Sequence, residues 1–333
     1  MKTLFSTAAL ALAATLQLCA QTGAPTGTSV PQAHITNGLV KATLYLPDAK
    51  AGYYRGTRFD WSGQIPSLEY KGHSYFGNWN ERPYSPTLHD AIMGPVEEFS
   101  GDFAVGYEAA PVGGTFVKIG VGLLRKPQEA KYDHFKEYEI VDSGKWTVKT
   151  APDSVTFTHV VHDKVSGYAY EYHKIVRLAK GKPTLEIEHR LKNIGKNTIQ
   201  TDVYNHNFYM LDKQPTGPDT VVRFPFDVKA AKPWQQGLAE TRGKEVVYLK
   251  ELQPRQTASN DLTGYTVDPK DYDITVENKS TGAGVRQTAD RPISRINYWS
   301  IRTTACPEAY IDISLLPGKE FTWKIAWDFY STK

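Results

Sequence analysis

The sequence predicts an all-β protein built as one large antiparallel β-sandwich. Three observations carry this. Runs with a two-residue apolar period follow one another along the chain, punctuated by Gly, Asn, Asp or Pro. Beyond the first twenty residues no stretch sustains a 3.6-residue period. With 333 residues, 40% of them hydrophobic and 23% charged, the chain has enough apolar material for a buried core. Some 15 to 20 short strands are expected, packed as antiparallel sheets. No internal repeat suggests a propeller, and no composition break marks a boundary, so residues 34–333 read as a single domain.

In chain order, residues 1–20 read as a signal peptide. Lys2 supplies the positive end, and Leu4 to Leu18 form an apolar stretch too short to span a bilayer. Cleavage is expected after Ala20, which places the protein in the periplasm or outside a bacterial cell. Leu18 stands where a lipidated Cys19 needs a small residue. Residues 21–33 read as a flexible leader. Strands are expected at Leu39–Leu46, Ser154–His162, Tyr168–Leu178, Thr184–Leu191 and Thr198–Tyr209. In Ser154–His162, Val155, Phe157, His159 and Val161 share one face. Two further strands, Tyr310–Leu316 and Phe321–Tyr330, flank a Leu-Pro-Gly-Lys turn of hairpin type. Short helices are expected at Arg125–Tyr132 and Lys229–Gln236.

Charge and cysteine content exclude several functions. The formal charge of +3 comes from 39 basic and 36 acidic residues with no basic tract, so neither nucleic acid nor anionic membrane is an expected partner. No later segment is apolar enough for a stable membrane span. After cleavage only Cys306 remains, so no intrachain disulfide forms and the fold rests on its core. A monomer is expected. The sequence has no Walker A loop, no dinucleotide fingerprint, no His-Glu-x-x-His and no Gly-x-Ser-x-Gly. Its nine histidines are scattered. His159 and His162 fall on opposite faces of a strand, so no metal site is expected. The 20 Tyr, 13 Phe and 7 Trp suit either aromatic-rich strands or stacking on sugar rings.

Three segments stand apart from strand filler: Tyr53–Gly63, with two Arg, an Asp and several aromatics; Leu88–Phe99; and Tyr204–Leu211, where His206 lies between two Asn. Asn205-His206-Asn-Phe-Tyr-Met-Leu resembles the Asn-His-x-Tyr-Phe-Asn-Leu signature of the aldose 1-epimerases, the galactose mutarotase-like family. Leu88-His89 resembles that family's first His segment, Thr57-Arg58-Phe59 its upstream Arg segment, and Cys306-Pro307-Glu308 the Cys-x-Glu-Pro of its hexose-phosphate branch. The order is the family's, and the resemblance runs from about Leu39 onward. It departs at Asp90-Ala91, where the family has Gly-Gly, and at Met210, where the signature has Asn. Gly264-Tyr265 matches the family's Gly-Tyr-Asp-His segment poorly, which leaves its Asp without a counterpart.

The resemblance implies a galactose mutarotase-like supersandwich acting on a sugar or oligosaccharide, with no cofactor and no metal. It implies catalysis by Glu308 as base, His206 as an acid protonated at the start, and His89 as a donor to sugar oxygens. Arg58, Asn205, Glu98 and Trp299 are the expected substrate-binding residues; Glu97 or Glu98 would line the site in place of a family residue, and Trp61, Trp79 and Tyr298, like Trp299, are candidate stacking platforms for a sugar. A carboxylate and an imidazole suit anomer interconversion, which takes a proton from the C1 hydroxyl and gives one to the ring oxygen. Two alternatives stay open on the same fold: a polysaccharide lyase using Arg55, Arg58 and Tyr54, and a carbohydrate-binding protein with no chemistry.

Overall fold

The computed structural model describes residues 30–99 and 103–333. The expected signal peptide, its cleavage after Ala20 and most of the leader lie outside the described residues. Strand Gln32–Thr36 pairs with Val40–Tyr45, so Gln32 and Ala33, which the sequence assigned to the leader, belong to a sheet.

Two antiparallel sheets form the body. The larger has ten strands, in the order Ala239–Arg242, Glu245–Tyr248, Thr220–Arg223, Asp273–Asn278, Ala283–Ala289, Glu320–Ser331, Thr184–Asn193, Ala169–Leu178, Ser154–His162 and Lys145–Ala151. The smaller has six: Lys229–Ala230, Ala258–Thr263, Arg295–Ile301, Thr304–Leu315, Ile199–His206 and, at its edge, Val96–Phe99. The inward faces meet in one core that joins Ile187, Trp323 and Trp327 of the larger sheet to Val203, Ile296 and Ile311 of the smaller. This is the expected all-β sandwich. Strand Ser154–His162 shows the predicted alternation, with Val155, Phe157, His159 and Val161 buried and His162 exposed. His159 is a core histidine, stacked 3.9 Å from Trp146 and 2.9 Å from the Tyr170 hydroxyl.

Two local expectations give way to the sheets. Neither predicted helix forms. At Arg125–Tyr132 the backbone N–H groups of Arg125 and Lys126 donate to Glu139 and Gly114, and Pro127 follows with no N–H to give. At Lys229–Gln236, Lys229–Ala230 joins the six-stranded sheet, and one 3₁₀ turn, Gln235–Gly237, follows Pro233. The Leu-Pro-Gly-Lys turn is not a hairpin. It carries the chain from strand Thr304–Leu315 of the smaller sheet to Glu320–Ser331 of the larger. Asn193 holds it there, exchanging backbone bonds of 2.9 Å with Gly318 and Lys319 while its amide reaches the Leu315 carbonyl at 2.8 Å.

The interior contains an ionic cluster. Lys174, Asp60 and Glu97 have fully buried side chains. Lys174 Nζ donates to Glu97, lies 3.3 Å from Asp60 Oδ2, and donates to the Ser62 carbonyl at 2.8 Å. His189 Nε2 meets the other Glu97 oxygen at 2.7 Å, and the Asn205 amide donates to it at 3.1 Å. Burial alone would raise the Glu97 carboxyl, but Lys174 and His189 outweigh it and hold the group below its ordinary range. Removing one partner of such a cluster costs about 3–5 kcal/mol, because the remaining charge has no solvent. Lys174→Met is therefore expected to lose about that much in a denaturant titration; a loss below about 1 kcal/mol would contradict an ionised cluster.

Candidate active site

The outer face of the six-stranded sheet is also covered, which most sandwich faces are not. Strand Thr304–Leu315 is buried at every position from Thr304 to Ile311. The cover is a second apolar cluster made by irregular segments, including Tyr54, Phe59, Trp61, Trp79, Ile92, Met93, Tyr132 and Tyr138, packed on Phe208 and Cys306. Tyr54 staples these segments. Its hydroxyl accepts from the backbone of Arg58 and Phe59 and donates to the His89 carbonyl at 3.2 Å. Gly56 is required there, since a Cβ would stand 2.5 Å from that hydroxyl.

A cavity of about 430 Å³ opens between cover and sheet, within the range of small-ligand sites. Sheet register builds its floor. Glu98 pairs with Tyr204, Tyr204 with Tyr310, and Tyr310 with Arg295. One rung along, Glu308 pairs with Asn297, and His206 stands beside Glu308. His206 Nε2 is 3.1 Å from Glu308 Oε1, and the Asn297 amide donates to Glu308 Oε2 at 2.7 Å. Arg58, His89, His134 and Phe135 close the cavity from the loop side, while Trp79, Phe208 and Trp299 give it aromatic walls.

Burial governs the charges here. It pushes the Glu308 carboxyl up to about 8, against the smaller pull of Asn297 and Arg58. Burial, assisted by the Arg58 charge, pushes the His206 imidazole well below its ordinary value. The His206 ring is stacked on Phe208 at 3.7 Å and edged by Phe59 and Trp299, which leaves it little contact with solvent. Its Nδ1 is buried without a hydrogen-bond partner. Both shifts favour the uncharged form, so the pair rests with one proton held on Glu308 and a neutral imidazole beside it. His89, lowered to about 4 by burial and by Arg58, is neutral too.

Of the residues singled out in the sequence, His206, Glu308, His89, Arg58 and Trp299 converge on this cavity, as does Trp79. Asn205 does not line it. It is one residue from His206 on an extended strand, so it faces the opposite side and bonds Glu97 in the core. Glu98 stands behind the cavity wall with a fully buried side chain, accepting from Arg58 Nε at 2.7 Å, from His134 Nδ1 at 2.9 Å and from the Tyr204 hydroxyl. It orients binding groups in place of touching a ligand. Glu97 belongs to the core cluster. Tyr298 is buried in the core against Tyr248, and Trp61 in the cover, its indole bound to the Gly56 carbonyl. The lyase pattern is not assembled: Tyr54 is the staple, and Arg55 is not among the cavity-lining residues.

The sequence reading missed Tyr204, Tyr310, Asn297, Arg295, Asp261 and His134. Tyr204 and Tyr310 were accessible to it, since each sits two residues from a selected group. Asn297 and Asp261 required the strand register, which pairs them with each other.

No protein-family model matches the chain, and no curated protein does. Solved structures do. A galactose mutarotase-like protein from Clostridium acetobutylicum aligns with a TM-score of 0.56 at 13% identity, over 90% of this chain and 95% of its own. A GalM/aldose epimerase homologue from C. elegans aligns with a TM-score of 0.54 at 13% identity, over 92% of this chain and 100% of its own. A galactose mutarotase related enzyme from Lactobacillus acidophilus gives 0.54 at 13%, over 91% and 98%. This chain has the galactose mutarotase-like fold. The relationship is distant, and the likeness is one of fold.

The protonated Glu308 has a stability consequence. A carboxyl whose folded-state pKa is raised favours folding below its unfolded value near 4.5, and that contribution is lost as pH rises through about 8. Glu308→Gln cannot ionise. Its unfolding free energy should match the wild type near pH 5 and exceed it near pH 9 by on the order of a few kcal/mol, with the melting temperature higher accordingly. Parallel melting curves for the two proteins across that interval would contradict a buried, protonated Glu308.

Proposed function

We propose that this protein is an aldose 1-epimerase-like enzyme that interconverts the anomers of a sugar. The observation that carries this reading is the His206–Glu308 pair, with Nε2 and Oε1 3.1 Å apart on neighbouring strands at the floor of a cavity walled by tryptophan. The sugar enters between loops and sheet, and its anomeric centre displaces the contact between the two side chains. Glu308 gives its proton to the ring oxygen as the C1–O5 bond breaks. His206 Nε2 takes the proton of the C1 hydroxyl, which becomes the aldehyde oxygen. The C1–C2 bond rotates, and reclosure returns both protons. Because Asn297 occupies Oε2, Oε1 is the oxygen that carries the transferable proton.

These roles reverse the expectation from the resemblance, in which His206 starts as the cation and Glu308 as the base. The reason is burial, which disfavours charge on both groups. The reaction needs one donor and one acceptor, and the neutral pair supplies both. Arg58 is fixed by Glu98 and Tyr204 and presents its remaining donors to sugar hydroxyls. Asp261, on the cavity wall, is our assignment for the acidic residue that the family comparison left without a counterpart. Export rests on the pattern of residues 1–20, and the N-terminal sequence of the protein recovered from a periplasmic extract tests it.

The assay is polarimetric: freshly dissolved α-anomers of glucose, galactose and uronic acids are followed to equilibrium, with the spontaneous rate subtracted. Glu308→Gln and His206→Asn should each lose ~10²–10⁴-fold in rate. The double variant should be little worse than either, since the groups act as a unit. If the wild type accelerates none of these sugars yet binds them, the protein is a binding protein. An unsaturated uronate product would instead make it a lyase.

A further inference from the structure

His134 has no place in the family resemblance and none in the proton transfers above, yet it is built into the cavity wall. Its Nδ1 lies 2.9 Å from Glu98 Oε1. Glu98 is fully buried. Arg58 Nε at 2.7 Å, Lys118 Nζ at 3.7 Å and the Tyr204 hydroxyl compensate its charge. Burial works to raise this carboxyl, and the Arg58 charge, the bond from His134 and the Lys118 charge outweigh it and hold it well below the usual range. An ionised carboxylate only accepts, so Nδ1 carries the hydrogen of that bond. In the neutral ring Nε2 is then a lone-pair acceptor. His134 lines the cavity beside Arg58 and His89. Its neighbour Phe135 is 55% exposed at the same wall, with its ring edge-on to both imidazoles. Two other polar groups of the wall already have partners within the protein: the Asn297 amide bonds Glu308, and Arg58 bonds Glu98 and Tyr204.

We propose that His134 is a specificity residue whose Nε2, aimed by the buried Glu98 carboxylate, accepts a hydrogen bond from one hydroxyl of the bound sugar away from the anomeric centre. The ligand class is therefore a sugar that keeps this hydroxyl, and its deoxy analogue is rejected because the polar wall would be left unpaired. Phe135 offers the adjoining apolar surface to the C–H face of the same sugar. The proposal rests on the reading of this cavity as a sugar site, and it does not require that catalysis occur there.

The test is a binding cycle read by calorimetry. Wild type, His134→Leu and His134→Gln are titrated with glucose, galactose and their 2-, 3-, 4- and 6-monodeoxy forms, and polarimetry is run in parallel. His134 is on a loop with part of its ring exposed, and near-UV circular dichroism confirms that each variant retains the native packing. The expected result is one position at which the deoxy sugar binds the wild type roughly 10–100-fold more weakly, a penalty that vanishes in His134→Leu and partly returns in His134→Gln, which keeps an acceptor. Equal penalties in wild type and His134→Leu at every position would overturn the proposal, as would failure of the wild type to bind any of these sugars. Coupling without rate acceleration would sink the epimerase reading and leave this one standing. Acceleration without coupling would do the reverse.

Discussion

Strand Val96–Phe99 carries two adjacent carboxylates that point in opposite directions, and most of the polar architecture depends on how each is compensated. Glu97 points into the sandwich, where Lys174 and His189 of the ten-stranded sheet meet it. Glu98 points outward, where Arg58 and His134 of the covering loops meet it. One short edge strand thus ties the smaller sheet to the larger on one side and to the cavity wall on the other. Replacement by apolar residues would lower the desolvation cost. It would also release Arg58 and His134 from fixed positions. A site that recognises hydroxyls by direction needs those positions held by supporting bonds.

The covered outer face explains the chemistry available at the site. On an ordinary half-exposed sheet Glu308 would be an ionised, solvated carboxylate and His206 would titrate near its usual value. Here the loops exclude water from both, and the uncharged forms win. The pair is then ready for a reaction that moves two protons in opposite directions with no net charge change. A neutral donor beside a neutral acceptor also avoids the cost of separating two buried charges.

Much of this was legible in the sequence. Period-two alternation located the long strands of the ten-stranded sheet closely, because one face of each is buried and the other wet. The site strands were harder, since Thr304–Leu315 is buried on both faces from Thr304 to Ile311 although Thr304, Pro307 and Glu308 interrupt its apolar residues, so no alternation marks it there. His206 and Glu308 were found through motif resemblance, together with His89, Arg58 and Trp299, but the polar floor around the pair was not. The same period-two rule that rejected a His159–His162 metal site also excludes Asn205 from any face occupied by His206, and it selects Tyr204 instead. Glu98 was assigned to the right side of its strand for the wrong task, because only the structure shows Arg58 and His134 lying between it and the cavity. His134 itself is in an irregular segment with no periodicity to report its direction. The Leu-Pro-Gly-Lys turn misled for a related reason: its local chemistry signals a reversal, while its partner Asn193, far away in sequence, decides that the reversal changes sheets.

The central claim is that His206 and Glu308 hold one proton between them near neutral pH and work only while they hold it. The most direct measurement is kcat/KM for anomer interconversion by the wild type as a function of pH, with the uncatalysed rate subtracted at each point. On this account the rate falls as pH rises through about 8, tending to tenfold per unit, because the pair loses its single proton there. A rate that instead climbs through pH 8 and levels off above it, as a carboxylate base gaining its charge would require, would contradict the account.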